Sequence, residues 1–250
     1  MKNWNVCIAI VLVITFPFLG HAQETDSIPH NNKTGKIVGI AIPAAFITYG
    51  AISLGDNGIR HLDYSVRDHL VENNALWHVK WDDYLQFSPA VAAFGMKLCG
   101  VQSTHNLLNM AILYALSNGV NGVVVEVGKY AVGRERPDNS NHFSFPSGHT
   151  STAFVAAEFL HQEYKNQSVW ISVGGYSMAT LIGVARIYNN KHWVSDVVTG
   201  AGVGILSTKA VYWVYPYLQK AFGRKDKKTS AVLLPNYDRG SWGVSLSYGF

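Results

Sequence analysis

The apolar residues of this chain are concentrated in six segments that are long enough, or nearly long enough, to cross a bilayer as helices. The fourth segment is short and carries Glu158 and His161, so we expect it to face a polar interior. We therefore predict an all-α, membrane-embedded bundle of about six helices within a domain at residues 37–217. The segments are approximately Ile37–Leu54, Phe87–Val101, Leu107–Val127, Thr150–Leu160, Val169–Ile187 and Val194–Tyr217.

A further amphipathic stretch, Ile59 to Val71, lies between the first two apolar segments. Its apolar residues recur on one helical face, and its charged residues fall elsewhere. This pattern predicts a helix that lies on a membrane surface or caps the bundle, and a helix packed on a soluble core is the alternative. The apolar positions are Ile59, Leu62, Val66 and Leu70, and the charged ones are Arg60, Asp63, Arg67 and Asp68.

The two termini differ in character from the bundle. Lys2, an apolar run and small residues up to Ala22 predict a signal peptide over residues 1–22, with an uncleaved membrane anchor as the alternative. Residues 218–250 are predicted to form a basic linker and a β-hairpin-like tail, because apolar and small residues alternate strictly from Trp242 to Phe250. The sequence assigns no purpose to this tail.

Composition narrows the class of protein further. Only 14% of the residues are charged, against about 25% in an average soluble domain, which fits helices with a polar interior site. The net charge of +4 is small and no long basic array is present, so we expect no nucleic-acid partner. Two cysteines, Cys7 and Cys99, cannot build a disulfide framework or a thiolate metal cluster. The oligomeric state is left open.

Three short blocks of chemically active residues lie at the edges of apolar helices. They are Lys129–Pro137, Pro146–His149 and Ala185–Asp196. Arg136 follows Lys129 by seven residues, so two helical turns are expected to place both cations on one face before Pro137 ends the helix. Taken singly, each block has a structural explanation, such as contacts of basic residues with lipid headgroups or ordinary turn chemistry.

In combination, the three blocks suit a phosphate ester. Catalysis of phosphoryl transfer depends mainly on positioning and on electrostatic stabilisation of the phosphate oxygens. Lys129, Arg136 and Arg186 can neutralise those oxygens. Ser147, through its hydroxyl group, and the backbone N–H groups of Ser147 and Gly148 are expected to bind the anion at a helix N-terminus. These five residues are the predicted phosphate-binding set.

Two histidines and one carboxylate supply the predicted catalytic set. His192 is expected to attack phosphorus, and Asp196, one helical turn away, is expected to hold its ring and stabilise positive charge. His149, on the helix that binds phosphate, is the expected general acid. No carboxylate cluster suggests a metal site, so we predict no metal and no cofactor.

The blocks resemble the signature of the phosphatidic-acid-phosphatase type 2 superfamily, which is Lys, six residues, Arg-Pro; then Pro-Ser-Gly-His; then Ser-Arg, five residues, His, three residues, Asp. The first two match in full, and in the third Ala185 replaces the serine. The resemblance covers about Ile37 to Tyr217. It implies a phosphohistidine intermediate on His192, with His149 as acid and later base. The start of the chain and the stretch from Asp82 to Pro89 are most similar to bacterial members that dephosphorylate lipid A.

These features predict a phosphatase that acts on a phosphorylated membrane lipid of the lipid A, undecaprenyl diphosphate or phosphatidate type. The alternatives are a soluble periplasmic acid phosphatase of the same superfamily and a non-catalytic membrane protein that binds anionic headgroups. A headgroup site needs charge but does not need two histidines and an oriented carboxylate. Vanadate-dependent haloperoxidase chemistry is disfavoured because nothing in the sequence marks a redox role.

Two arguments about topology disagree. A cleaved signal followed by six spans puts the site in the cytoplasm, whereas the distribution of lysines puts it outside. We favour the second argument, and predict a bacterial inner (cytoplasmic) membrane location with the site facing the periplasm. Ile37–Leu54, interrupted by Pro43, is then not expected to span in a simple way. The lysines on the side away from the site are Lys33, Lys36, Lys97, Lys165 and the cluster Lys220–Lys228.

Overall fold

The protein is described by a computed structural model over residues 33–73, 75–77, 79–221, 231–238 and 241–248. The predicted signal peptide, residues 1–22, lies outside the described residues, as does most of the predicted basic linker. Two compact units are present, with the boundary between Val211 and Tyr212. The first unit is helical and contains every residue of the three blocks.

Eight helices occur among the described residues, and they follow the predicted apolar segments closely. The amphipathic stretch and a short turn before the second apolar segment are also helical. The helices are α1 (Lys33–Ile52), α2 (Gly58–Glu72), α3 (Asp82–Leu85), α4 (Ser88–Leu98), α5 (Leu107–Val132), α6 (Gly148–Tyr164), α7 (Val169–Tyr188) and α8 (Val194–Ala221).

Helix α5 ends earlier than predicted. Gly133 adopts a left-handed conformation with φ of 59°, and its N–H donates to the carbonyl oxygen of Lys129 at 3.0 Å. A glycine in this conformation is a common C-terminal helix cap, because it carries no Cβ that would clash. Arg136 therefore lies in the following loop, and the prediction that Pro137 ends the helix was wrong.

Close backbone packing fixes α8 between α6 and α1. A Cβ added to Gly200 would lie 2.6 Å from the carbonyl oxygen of Ser147, at the start of α6. One turn later, a Cβ on Gly204 would meet the carbonyl oxygen of Ser151. On another face of α8, a Cβ on Gly202 would lie 2.5 Å from the carbonyl oxygen of Pro43 in α1. Small residues thus let three helices approach closely.

The amphipathic helix α2 packs on this bundle through Val66 and Leu70, which belong to the same buried cluster as residues of α6, α7 and α8. The prediction for its faces was partly wrong. Leu62 is exposed, whereas Asp63 is buried and faces the bundle. Asp63 is tolerated there because Arg134 and Ser195 bind its carboxylate, as described below.

The polar interior expected around Glu158 and His161 is observed. Glu158 is fully buried and accepts hydrogen bonds from Lys209 Nζ at 2.8 Å and from Gln162 Nε2 at 2.6 Å. His161 Nδ1 lies 2.8 Å from the hydroxyl of Ser172. The charge of Glu158 is thereby paired inside the bundle, as a buried carboxylate requires.

Among the described residues, α5 and α8 are long and apolar enough to cross a membrane. Helix α5 turns Met110, Leu113 and Val125 into the protein, while the opposite face exposes Val123 and Val127 by more than 60% each. An exposed apolar row of this length fits contact with lipid. The apolar part of α1, Ile37–Ile52, is shorter, although the helix continues through Pro43.

The second compact unit contains two strands, β1 (Ala231–Asp238) and β2 (Ser241–Tyr248). They pair antiparallel over their whole length, from Ala231 opposite Tyr248 to Asp238 opposite Ser241. Adjacent antiparallel strands need only a short connection, which suits the two residues between them.

Candidate active site

The three blocks meet at one end of the helical bundle because consecutive helices run in opposite directions. Lys129 lies in the last turn of α5, and the second block opens α6. Arg186 lies in the last turn of α7, and Asp196 lies in the first turn of α8. The loops between these helices, which carry Arg136 and His192, lie at the same end.

A backbone carbonyl fixes the ring of His192. Its Nδ1 lies 2.8 Å from the carbonyl oxygen of Ser144, whereas the nearest carboxylate oxygen of Asp196 is 3.8 Å away. A carbonyl oxygen only accepts hydrogen bonds, so in the neutral ring Nδ1 carries the hydrogen and Nε2 keeps its lone pair. The expectation that Asp196 itself holds the ring is corrected: that contact belongs to Ser144.

Asp196 acts on the residues around His192. Its Oδ2 accepts hydrogen bonds from the hydroxyl of Ser144 and, at 3.0 Å, from the backbone N–H of Trp193. The carboxylate therefore fixes both the residue that holds the imidazole and the residue that follows it in the chain. At 3.8 Å it also lies close enough to stabilise positive charge on the ring.

Arg134 and Asp63 extend this arrangement into a buried ion-pair network. Arg134 Nη1 lies 2.8 Å from Asp196 Oδ1, and Arg134 Nη2 lies 2.8 Å from Asp63 Oδ2. Asp63 also accepts hydrogen bonds from the backbone N–H and the hydroxyl of Ser195. Both carboxylates are fully buried, so Arg134 supplies the positive charge that compensates them.

His192 is 2% exposed, and this burial lowers the pKa of its imidazole below the usual value. The Asp196 carboxylate offsets part of the effect, whereas Arg186 and Arg136 add to it. The neutral form, which has the free lone pair, is therefore favoured down to lower pH than in an exposed histidine.

Two arginines act on His192 through their charge, Arg136 and Arg186. Burial lowers the pKa of Arg136, and the nearby charge of Arg186 lowers it further. Arg186 is paired with the buried Asp82 through Nη1 and Oδ2 at 2.6 Å. Among the described residues, the buried Nε atoms of Arg136 and Arg186 have no hydrogen-bond partner. The end of the bundle therefore holds unpaired cationic donors close to the imidazole.

Lys129 and Gly148 lie next to each other. The position that a Cβ would take on Gly148 is 3.8 Å from Lys129 Nζ. The ammonium group is paired with Glu126 at 2.6 Å, and the Glu126 side chain is half exposed. Surface pairs of this kind are weak, so an anion at the start of α6 can compete for Lys129.

Ser147 differs from the expectation. Its backbone N–H, predicted to bind an anion, donates to the carbonyl oxygen of Asp196 at 3.0 Å. Its hydroxyl lies 2.9 Å from the hydroxyl of Thr150, and the residue is fully buried. Ser147 therefore links the starts of α6 and α8 in this structure.

His149 has a carboxylate partner that the motif does not contain. Its Nε2 lies 2.8 Å from Asp83 Oδ1, and the ring is about one-third exposed. Asp83 belongs to α3, next to the Asp82 that pairs with Arg186. Two consecutive aspartates of one short helix thus contact two predicted site residues.

Sequence reasoning missed the roles of Asp63, Asp82, Asp83 and Arg134. Asp82 and Asp83 were noted only as part of a stretch similar to lipid A phosphatases, and Asp63 was assigned to a polar face. Arg134 lies inside the first block, at a position that the signature leaves free. Charged residues inside an otherwise apolar bundle were the available signal, because such residues are usually paired or functional.

Comparison with known proteins gives three findings. The model of the PAP2 superfamily matches residues 110–220, which include all three blocks. The chain is 39% identical to the lipid A 1-phosphatase of Porphyromonas gingivalis over 155 residues, 62% of this chain but only 35% of that protein. It is 27% identical to phosphatidylglycerophosphatase B of Bacillus subtilis over 202 residues, 75% of this chain and 92% of that protein.

Among solved structures, the chain is similar to the crystal structure of Aquifex aeolicus LpxE, with a TM-score of 0.40 and 18% sequence identity. That alignment covers 83% of this chain and 94% of the other. The family assignment does not depend on this likeness, because the matched sequence region and its three blocks carry it. The resemblance noted in the sequence is thus confirmed: residues 110–220 match the model of the PAP2 superfamily.

Proposed function

We propose that this protein is a metal-independent phosphatase that hydrolyses a phosphate monoester or diphosphate of a membrane lipid through a phosphohistidine on His192. One observation carries the proposal. The charges of Arg136 and Arg186 act on a buried imidazole whose Nδ1 contacts the carbonyl oxygen of Ser144, which leaves the lone pair on Nε2. Their unpartnered Nε donors favour a bound oxyanion at the position where that lone pair can attack.

In the first step, Nε2 of His192 attacks phosphorus, and the bond from phosphorus to the leaving oxygen breaks. The positive charge that develops on the ring is stabilised by Asp196 at 3.8 Å and by the Nδ1–H contact to Ser144. His149 gives its proton to the leaving oxygen, which departs as a lipid alcohol or a shorter lipid phosphate. Arg136 and Arg186, with Lys129, neutralise the phosphate oxygens throughout.

In the second step, His149, now neutral, takes a proton from water as that water attacks the phosphohistidine. The bond between Nε2 and phosphorus breaks, inorganic phosphate leaves, and both histidines return to their starting state. Asp83, bonded to His149 Nε2, orients the ring between the two steps. The cycle needs one water molecule per phosphate and no metal ion.

The apolar helices favour a membrane lipid as the substrate. The exposed apolar face of α5 and the apolar length of α8 favour an embedded protein over the soluble acid phosphatase. The relatives named lipid A 1-phosphatase and phosphatidylglycerophosphatase B are 39% and 27% identical to the chain over the aligned residues. Lipid A, undecaprenyl diphosphate and phosphatidate are the substrates to compare.

The test is phosphate release from these three lipids by purified protein in excess EDTA. His192→Ala removes the attacking imidazole, and His61→Ala removes one from the surface as a matched control, because the His61 side chain is 72% exposed. Release that survives EDTA and the His61 change but is abolished by the His192 change supports the proposal. Release that requires a divalent metal ion, or that His192→Ala retains, contradicts it.

We further propose that the protein resides in a bacterial inner membrane with the site facing the periplasm. Asn141 lies in the loop between α5 and α6, at the site end of the bundle. In an Asn141→Cys variant with Cys7→Ser and Cys99→Ser, a membrane-impermeant maleimide is expected to label the protein once the outer membrane is opened. Labelling only after the cytoplasmic membrane is also permeabilised would refute the outward orientation.

A further inference from the structure

A cavity of about 260 Å³ lies beside the candidate active site, between α2 and the loop that follows α5. Arg60 and Arg67 line it from α2, and Arg134 and Arg136 line it from the loop. Arg60, Arg67 and Arg134 are not in the predicted phosphate-binding set. Arg136 belongs to that set and also lines the cavity, so the cavity adjoins the position of the phosphate under attack.

Four arginines and a single carboxylate line this cavity. Arg134 is compensated by Asp63 and Asp196 and adds little. Arg60 directs its donors to neutral oxygens, the carbonyl of Leu54 and the hydroxyl of Tyr64. The one carboxylate among the lining residues is that of Glu135, which accepts a hydrogen bond from Asn139.

Arg67 gives the strongest indication that this cavity binds an anion. Its Nη1 pairs with the exposed Asp68 at 3.1 Å, and its Nη2 is 3.4 Å from the carbonyl oxygen of Pro137. Its Nε is buried and, within the described part of the chain, has no hydrogen-bond partner. Within that part of the chain, Arg136 Nε is also buried without a hydrogen-bond partner. A buried guanidinium N–H without an acceptor is costly, and an oxyanion in this cavity would accept from Arg67 Nε.

We propose that this cavity is a second oxyanion site, which binds a phosphate group next to the phosphate that His192 attacks. Arg67 and Arg60 hold the group, and Arg136 bridges the two sites. The position of Arg136 favours an anion attached to the substrate over an unrelated ligand. The inference rests on the proposed function for the identity of the neighbouring phosphate, but the cavity and its unpartnered donors do not depend on that function.

Two sources can supply this phosphate group: the second phosphate of a lipid diphosphate, or free inorganic phosphate. Phosphatidate and diacylglycerol pyrophosphate separate them, because they share one lipid anchor and differ by one phosphate. Arg67→Ala is the test variant, and Arg67→Lys keeps the charge without the Nε donor. Lys97→Ala, in the last turn of α4, removes a positive charge elsewhere and serves as the matched control.

If the diphosphate lipid is the source, Arg67→Ala raises KM for diacylglycerol pyrophosphate about tenfold or more, the effect of one lost charged hydrogen bond. KM for phosphatidate stays within about twofold. Arg67→Lys gives an intermediate increase, and Lys97→Ala changes neither value. If free phosphate is the source, both KM values are unchanged, and Arg67→Ala weakens a non-competitive inhibition by inorganic phosphate. Equal losses for both substrates, or no change in any of these quantities, would overturn the proposal.

Binding to an inactive enzyme separates failure of this site from failure of the proposed function. Pyrophosphate is titrated calorimetrically into full-length His192→Ala protein, with and without Arg67→Ala. A dissociation constant that rises about tenfold or more in the double variant supports the second site even if no lipid is hydrolysed. An unchanged dissociation constant overturns it, whatever the enzyme does to lipids.

Discussion

Replacing Arg134 with methionine tests whether the buried ion-pair network positions the candidate nucleophile. Methionine keeps much of the volume and the apolar contacts of the side chain but removes its charge. Asp63 and Asp196, both fully buried, then lose the guanidinium that lies 2.8 Å from each of them. Loss of one partner from a buried ion pair costs about 3–5 kcal/mol.

The lower end of that range applies here. Asp63 keeps both donors of Ser195, and Asp196 keeps the hydroxyl of Ser144 and the N–H of Trp193. A loss of about 3 kcal/mol in a domain of this size corresponds to a fall of about 6–12 °C in Tm. The assay is thermal unfolding of the purified protein in detergent, followed by intrinsic fluorescence, together with phosphatase activity at a temperature where the variant stays folded.

A double variant isolates the charge from the packing. In Arg134→Met with Asp63→Asn, one of the two uncompensated charges is removed while the amide oxygen can still accept from Ser195. We expect Tm to recover by at least about 2–4 °C, equivalent to 1 kcal/mol. A Tm of the single variant within about 2 °C of the wild-type Tm would refute the reasoning. A Tm of the double variant no higher than that of the single variant would refute it as well.

The pH dependence of the Arg134→Met variant gives an independent check. Burial raises the pKa of Asp63, and the contacts with Ser195 and Arg134 oppose that effect. Without Arg134 the pKa rises further above its value in the unfolded chain, so the folded state binds more protons and stability increases as pH falls toward that pKa. The Tm deficit of the variant should therefore be smaller at pH 5 than at pH 8.

Three further outcomes are expected. The acid limb of kcat/KM against pH should lie below about 6.5, the usual histidine pKa, because burial lowers the pKa of His192 and keeps it neutral; a limb above that value would contradict this. Gly200→Ala places a Cβ 2.6 Å from the carbonyl oxygen of Ser147. It should therefore lower stability by about 1–3 kcal/mol and reduce kcat. The control Gly174→Ala, whose Cβ would have nothing within 4 Å, should change neither quantity. Asp82→Asn removes the charged partner of Arg186 and should lower kcat/KM about tenfold. Asp56→Asn, at an exposed aspartate, is the control. Equal activity of the two variants would argue against a role for Asp82.

Much of the site could be predicted because its residues are close in sequence and carry a spacing with chemical meaning. The apolar periods located the helices, and the alternation of their directions brought Lys129, His149, Arg186 and Asp196 to one end. The end of α5 was predictable in principle, since Gly133 is a typical C-terminal cap. Pro137 was preferred because proline is the stronger helix breaker, yet the glycine ended the helix first.

The ion-pair network could not be predicted, because its partners are distant in sequence. Asp63 is 71 residues from Arg134 and 132 residues from Ser195. On a helical wheel Asp63 falls beside Ile59 and Leu70, on the apolar side of α2. Its charge led to its assignment to the polar face, whereas its position in the helix turns it into the bundle. The contact of His192 with a backbone carbonyl was hidden for a related reason: no side-chain motif records it.

The central claim is that His192 carries the phosphoryl group, and trapping that intermediate tests it most directly. Enzyme turning over a lipid labelled on its phosphate is quenched in alkaline detergent, where phosphohistidine is stable, and its peptides are analysed by mass spectrometry. We expect phosphate on His192 in the wild type and none in His192→Ala. Phosphate on another residue, or release of inorganic phosphate by the His192→Ala variant at the wild-type rate, would contradict the account.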